Sequence, residues 1–193
     1  MELYMTPSGG PIARYSDAHL YLALDAIKRN GSMSRKRLAT ELRIGEGSVK
    51  AIINLMRDWG VIVSRQTGVR LTEFGEFTYE SIPMRLVDAY SGKYAIGSSQ
   101  QGILVKGVAD KVTNGMLQRD AGIKHGASGA SVFVIRDGVL IMPMEWNIDQ
   151  DDPILAETIR STGMVEGDVF LLVGSDDPIS SKVAAVSIAL EML

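Results

Sequence analysis

Residues 45–60, GEGSVKAIINLMRDWG, constrain the fold of this chain more than any other stretch. Val49, Ile52, Ile53, Met56 and Trp59 recur at the 3.6-residue period of one helix face, and glycine bounds the run at both ends. Ser48, Lys50, Ala51, Asn54 and Arg57 fall outside that stripe and are small, polar or basic. The spacing predicts a helix with an apolar back and a polar, basic front, a shape suited to the DNA major groove. A solvated surface helix shows the same periodicity, so the neighbouring segments decide between the two.

Residues 1–15 carry Pro7, Gly9, Gly10 and Pro11 and read as an extended arm. Ser16 is a good N-cap for a helix that places Leu20, Ala23, Leu24 and Ile27 on one face and stops at Asn30-Gly31. Ser34 opens a short helix with Leu38, Ala39 and Leu42 turned inward. Its first turn holds Arg35, Lys36 and Arg37, the unfavourable end of the helix dipole for cations, so an anionic partner there would relieve a penalty. The tight link Arg43-Ile44-Gly45 then enters the long helix. After it, the β-branched runs Val61-Ile62-Val63 and Val69-Arg70-Leu71 flank Ser64–Gly68, which predicts a basic hairpin. Thr72 caps a further helix, Glu73–Ile82, stopped by Pro83, with Phe74, Phe77 and Ser81 on a common face.

Charge supports a polyanion as partner. The net charge of −3 is unevenly spread: residues 28–70 hold ten basic and three acidic side chains, whereas residues 83–193 hold nine and fourteen. With 46% apolar and 22% charged residues the composition is that of a soluble globular protein, and no apolar run reaches the roughly 18 residues of a membrane span. The opening residues lack the charged and apolar regions of a secretory signal. Cysteine is absent, which excludes disulfides and thiolate metal sites and leaves a cytoplasmic chain as the expectation.

Residues 16–82 resemble a winged helix-turn-helix domain of bacterial and archaeal transcription regulators, on the stretch LRIGEGSVKAIINLMRDWGVI, the basic hairpin as wing, and LTEFG. The sequence departs from the usual pattern at Gly45 and Gly47, where Ser, Thr or Asp is commoner, which leaves fewer side chains to read bases. The resemblance implies double-stranded DNA as the partner and a homodimer as the binding form. Within it, Ser48, Lys50 and Asn54 are candidates for base edges, and Arg35, Lys36, Arg37, Arg43, Arg57, Arg65 and Arg70 for phosphates. Any one of these arginines is equally well explained as a solvated surface charge.

The second half, after a linker assigned to residues 83–93, reads as α+β over residues 94–193. Gly102–Val108, Ser131–Arg136, Val139–Pro143 and Asp168–Gly174 are predicted strands, with Asp137-Gly138 as a two-residue hairpin turn. Helices are expected from Thr113 or Asn114 to His125, from Pro153 to Thr162, and after Asp177-Pro178. A small layer sandwich with helices on one face of a mostly antiparallel sheet fits this order. The last helix carries Ile179, Val183, Val186, Leu190 and Leu193 as a narrow seam, for packing on the sheet or for a partner.

Chemistry is sparse in this half. Asp149, Asp151 and Asp152 begin like a calcium loop, but Ile154 and Arg160 stand where glycine and glutamate are needed, so no metal and no cofactor are expected. Residues 124–129, KHGASG, form either an anion-binding nest or a helix end followed by a turn. Arg119, Lys124, His125 and Ser128 are the candidate contacts for a small-molecule effector. The layout as a whole, and GVADKVTNGMLQRDAGIKHGASGA in particular, resembles a two-domain family of uncharacterised archaeal regulators. The expectation is a non-enzymatic, DNA-binding transcription regulator with a C-terminal sensing or dimerisation domain. The alternatives are an enzyme fused to its own DNA-binding domain and a winged-helix adaptor in a protein assembly.

Overall fold

The computed structural model describes residues 15–144 and 146–193. The arm expected over residues 1–15 therefore lies, except for Tyr15, outside the described residues. The chain first forms helices α1 (Asp17–Asn30), α2 (Arg35–Leu42) and α3 (Glu46–Asp58), then the hairpin β1 (Ile62–Arg65) and β2 (Gly68–Leu71), then α4 (Glu73–Ser81). The caps are those the sequence calls for: Ser34 accepts from the Arg37 N–H and Thr72 from the Gly75 N–H, while the Ser16 N–H donates to Nδ1 of His19 at 3.1 Å.

Val49, Ile52 and Met56 of α3 are buried against Leu38, Leu42 and Ile27 in a common apolar core. The predicted stripe fails at its end, because α3 terminates at Asp58 and Trp59, beyond the last turn, is 44% exposed. The hairpin turn is tighter than expected, with Arg65 paired to Gly68 across Gln66-Thr67. A bridge between Met33 and Val69, with amide bonds of 2.8 and 3.0 Å in both directions, holds β2 against the link between α1 and α2. Gly68 is required there: its φ is +124°, and a Cβ would lie 2.4 Å from the Met33 carbonyl oxygen.

The rest of the chain builds a six-stranded sheet in the order β3-β4-β8-β5-β6-β7, every neighbouring pair antiparallel. Its strands are β3 (Met84–Val87), β4 (Ser99–Val105), β5 (Gly129–Arg136), β6 (Val139–Met142), β7 (Trp146–Asn147) and β8 (Val169–Ser175). The helices are α5 (Met116–Lys124), α6 (Ile148–Asp151), α7 (Pro153–Ser161) and α8 (Pro178–Met192). Asp137 and Gly138 both take positive φ, as the two-residue turn between β5 and β6 demands. The linker assigned to residues 83–93 is corrected in part, since Met84–Val87 is an edge strand paired with β4.

Strand alternation sorts the core into two layers. Val169, Leu171 and Val173 of β8 share one cluster with Val132, Val134, Ile103 and the buried residues of α8. Phe170 and Leu172 turn the other way, to Phe133, Leu104, Leu155 and Ile159. Helices thus cover both faces, α5 and α8 on one and α6 and α7 on the other, where a single covered face was expected. A centre strand buried on both sides is a near-continuous apolar run, as VFLLVG is.

Of the predicted seam on α8, Val186 is buried, Ile179, Val183 and Leu190 are partly buried against the core, and Leu193 is exposed. Ala184, Ala185, Val186, Ile188 and Ala189 are buried, and the helix packs on β4 and β8 on one side and on α1 on the other. Its small residues let the backbone approach both. The buried residues of α1, α3 and α8 belong to one contiguous cluster.

Candidate nucleic-acid interface

α3 begins without a side-chain cap at Gly45, and Glu46 supplies the negative charge its first turn favours. With Val49, Ile52 and Met56 fixed inside, Gly47, Lys50, Ala51 and Arg57 are left exposed. Ser48 and Asn54 are only half-exposed, and Oδ1 of the Asn54 side chain accepts from Nη2 of Arg57 at 3.0 Å. Arg65 and Arg70 are exposed on the hairpin that follows, and the exposed acids of α3, Glu46 and Asp58, stand at its two ends.

Arg35, Arg37 and Arg43 among the remaining basic candidates have protein partners. Arg35 reaches Glu46 at 3.0 Å, and Arg37 donates to Oδ1 of Asn30 at 3.2 Å. The anion inferred for the first turn of α2 is thus in part Glu46 of the same chain. Lys36 is exposed beside them. Arg43, in left-handed conformation at the end of α2, turns its guanidinium to Asp177 at the start of α8. Two further members of the basic block, Lys28 and Arg29, are internal ties: Lys28 bridges to Glu76 and Glu80 of α4, and Arg29 to Asp25 and Glu41. The effective positive charge is therefore smaller than residue counting suggests.

Sequence reasoning missed the network behind these ties. Asp25 is buried and accepts from the Tyr79 hydroxyl and from Arg29, both at 2.8 Å. Tyr79 stacks on Tyr21, whose hydroxyl donates to the Met84 carbonyl at 3.2 Å. Burial together with the Asp25 carboxylate pushes the Tyr79 hydroxyl up to about 12. A lone aspartate among leucines and alanines on α1 was the available signal.

The four effector candidates do not form one site. Arg119 pairs with its neighbour Asp120, while Lys124 and His125 both meet Glu191, at 3.7 and 2.8 Å. No anion nest forms at the end of α5, because the N–H groups of Gly126, Ala127 and Ser128 already donate to the carbonyls of Ile123, Gly122 and Gly174. Asp149 and Asp152 also have structural employment. Asp149 binds Arg160 and the Leu140 N–H, and Arg160 holds its carboxyl below the usual range, while Asp152 caps α7.

One recess does bring distant residues together. Leu42, Arg43 and Ile44 of the α2–α3 link and His19 of α1 face Ile179, Ser180 and Val183 of α8, with His125 at the end of α5, around a cleft of about 200 Å³. Both histidines of the chain line it. Nothing in the spacing of His19 and His125 could have announced that.

A family model described as a domain of unknown function, DUF4443, matches residues 96–192. The chain belongs to the DUF4443 family. The matched DUF4443 region runs from just before β4 to the end of α8, so it holds one wall of the cleft, and the other wall is built by the preceding helices. No curated protein matches the chain. The chain is similar in structure to "Hypothetical protein PH0730 from Pyrococcus horikoshii OT3", with a TM-score of 0.75 over 93% of each chain and 20% sequence identity. At that identity the likeness establishes a common fold spanning both halves. Among the described residues, no helix is long and apolar enough to cross a membrane.

Proposed function

We propose that residues 16–82 are a winged helix-turn-helix domain that binds double-stranded DNA, and that the chain is a cytoplasmic transcription regulator with its DUF4443 region as the sensing part. One observation carries this reading. α3 has its apolar side buried and leaves Gly47, Lys50 and Ala51 exposed, directly ahead of a hairpin that bears Arg65 and Arg70. Helix insertion into the major groove needs small and basic residues on the outer face, and a basic hairpin beside it suits the phosphate backbone. Lys50 is the first candidate for a base edge. Arg57, Arg65, Arg70 and Lys36 are the phosphate contacts, and Arg43 leaves that set because its guanidinium is directed to Asp177 at the start of α8.

Phe74 and Phe77 on α4 are 58% and 69% exposed, and they supply the apolar surface for the homodimer that paired half-sites require. α8 is withdrawn as a dimer surface because α1 covers it. The test is selection of bound duplexes from a random pool, followed by titration of the selected duplex and a scrambled one at several salt concentrations. Enrichment of a two-fold symmetric site with discrimination against the scramble is expected. Failure to bind either duplex at 50 mM salt, where phosphate contacts are strongest, would sink the reading.

A further inference from the structure

We propose that the cleft between the α2–α3 link and α8 is a binding site for a small carboxylate with a short branched aliphatic body. Its size sets the first limit. About 200 Å³ is far more than the ~10–15 Å³ that one water needs and less than the ~300–1,000 Å³ of pockets for drug-sized ligands.

The lining sets the chemistry. Among the described residues, Leu42, Ile44, Ile179 and Val183 form the apolar part and Arg43, His19, His125 and Ser180 the polar part. The Arg43 guanidinium spends one nitrogen on Asp177 and keeps further N–H donors. His19 accepts the Ser16 N–H at Nδ1, so in the neutral ring Nε2 carries the proton and is a second donor. The Ser180 hydroxyl bonds to Asp177, and His125 gives Nε2 to Glu191. Asp177 and Glu191 thereby occupy Ser180 and His125, and the donors left to an occupant are those of Arg43 and Nε2 of His19. An aliphatic acid answers both halves of this surface: the carboxylate meets Arg43 and His19, and the branched end meets the four aliphatic side chains.

Position gives the site a use. Leu42, Arg43 and Ile44 lead directly into α3, so an occupant held against α8 fixes the entry of α3 relative to the sheet. This second step rests on the DNA-binding reading; binding of the acid does not.

Isovalerate is the probe, titrated into the full chain with amide shifts read by NMR. Saturable shifts at residues 42–44 and 179–183 are expected. 3-Methyl-1-butanol, with the same carbon skeleton and no charge, binds at least tenfold more weakly. Arg43→Asn, which tolerates the left-handed backbone, and Val183→Phe, which fills the cleft, each weaken isovalerate at least tenfold. Absence of saturable shifts at these residues, or equal binding of acid and alcohol by the wild-type chain, would overturn the site whatever the variants do. A chain that binds isovalerate in the cleft but no duplex would leave the site standing and remove the regulator reading.

Discussion

Arg43, at the turn between α2 and α3, is ion-paired with Asp177, the residue whose carboxylate also caps α8 by accepting the Ser180 N–H at 2.9 Å. One carboxylate therefore starts the last helix and is tied to the residue that ends α2. The ordinary use of an N-cap aspartate is local; here the same group reaches across the chain. Ser180 and then Arg43 hold the Asp177 carboxyl below its usual range. Asp177→Asn keeps an oxygen for the cap and loses the charge, whereas Asp177→Ala loses both. The urea midpoint is expected to fall more for alanine than for asparagine, and Arg43→Asn should add nothing further in the Asp177→Ala background. Full additivity of the two changes would show that the ion pair has no energetic coupling.

Lys50→Ala should cost about 1–3 kcal/mol on the selected duplex and much less on a scrambled one. Arg65→Ala and Arg70→Ala should weaken both duplexes alike, each reducing the salt slope by about one unit. Asn54→Ala differs from these in being half-buried and bonded to Arg57, so a lower melting temperature should accompany any loss of binding. Fluorescence anisotropy at three salt concentrations, with a melt for each variant, separates the outcomes. A Lys50→Ala chain with undiminished discrimination would point to another reading element.

Gly75→Ala tests packing against propensity. Alanine in a helix ordinarily gains up to about 1 kcal/mol over glycine. In α4 the new Cβ would fall 1.9 Å from the Val61 carbonyl oxygen, so the helix must move off the hairpin. A net destabilisation of about 1–3 kcal/mol is expected from a urea titration. A stabilised variant would show that helix propensity outweighs the close approach to Val61.

His19 gives a pH dependence with a definite sign. Burial lowers its pKa from the ordinary 6.5, so the folded chain disfavours the imidazolium. Its contribution to stability is fully present above pH 6.5 and declines as pH falls through 6.5 toward the folded value, because the unfolded chain takes the proton first. The urea midpoint should drop between pH 7.5 and 5.5, a window in which Asp149, Asp177 and Glu191, all held below their usual values, stay ionised. His19→Gln retains an acceptor for the Ser16 N–H and should flatten that drop. An unchanged slope in His19→Gln would assign the effect elsewhere.

A fragment beginning at Tyr94 lacks β3 and is expected to lose cooperative unfolding, while one beginning at Met84 retains the six-stranded sheet but bares the side of α8 that α1 covers. Circular dichroism during urea unfolding compares them. Cooperative, equally stable unfolding of both would show that neither β3 nor α1 matters to the sheet.

Much of this architecture is legible in residue order because local chemistry dictates it. Ser34, Thr72 and Asp177 start helices where they should, Asp137-Gly138 makes its hairpin, and the all-apolar run VFLLVG becomes the central strand. What escaped depends on distant partners. Met84–Val87 is too short and too close to Pro83 to read as a strand until β4 pairs with it. The apolar spacing of α8 looks like a seam for a second molecule, since nothing local says that the helix will pack on both the sheet and α1. Of the candidate interface, the spacing on α3 separates inward from outward residues, but charge counting could not tell Lys50, which is exposed, from Lys28, Arg29 and Arg43, which are tied to carboxylates.

α8 is the wall of two neighbours at once, with the sheet on one side and α1 on the other. A substitution on this helix is therefore judged twice, and a change that suits the sheet persists only if α1 also accepts it. Sequence drift at Ala184, Ala185, Ile188 and Ala189 is expected to be slow, and invariance at these buried positions would mark a shared wall.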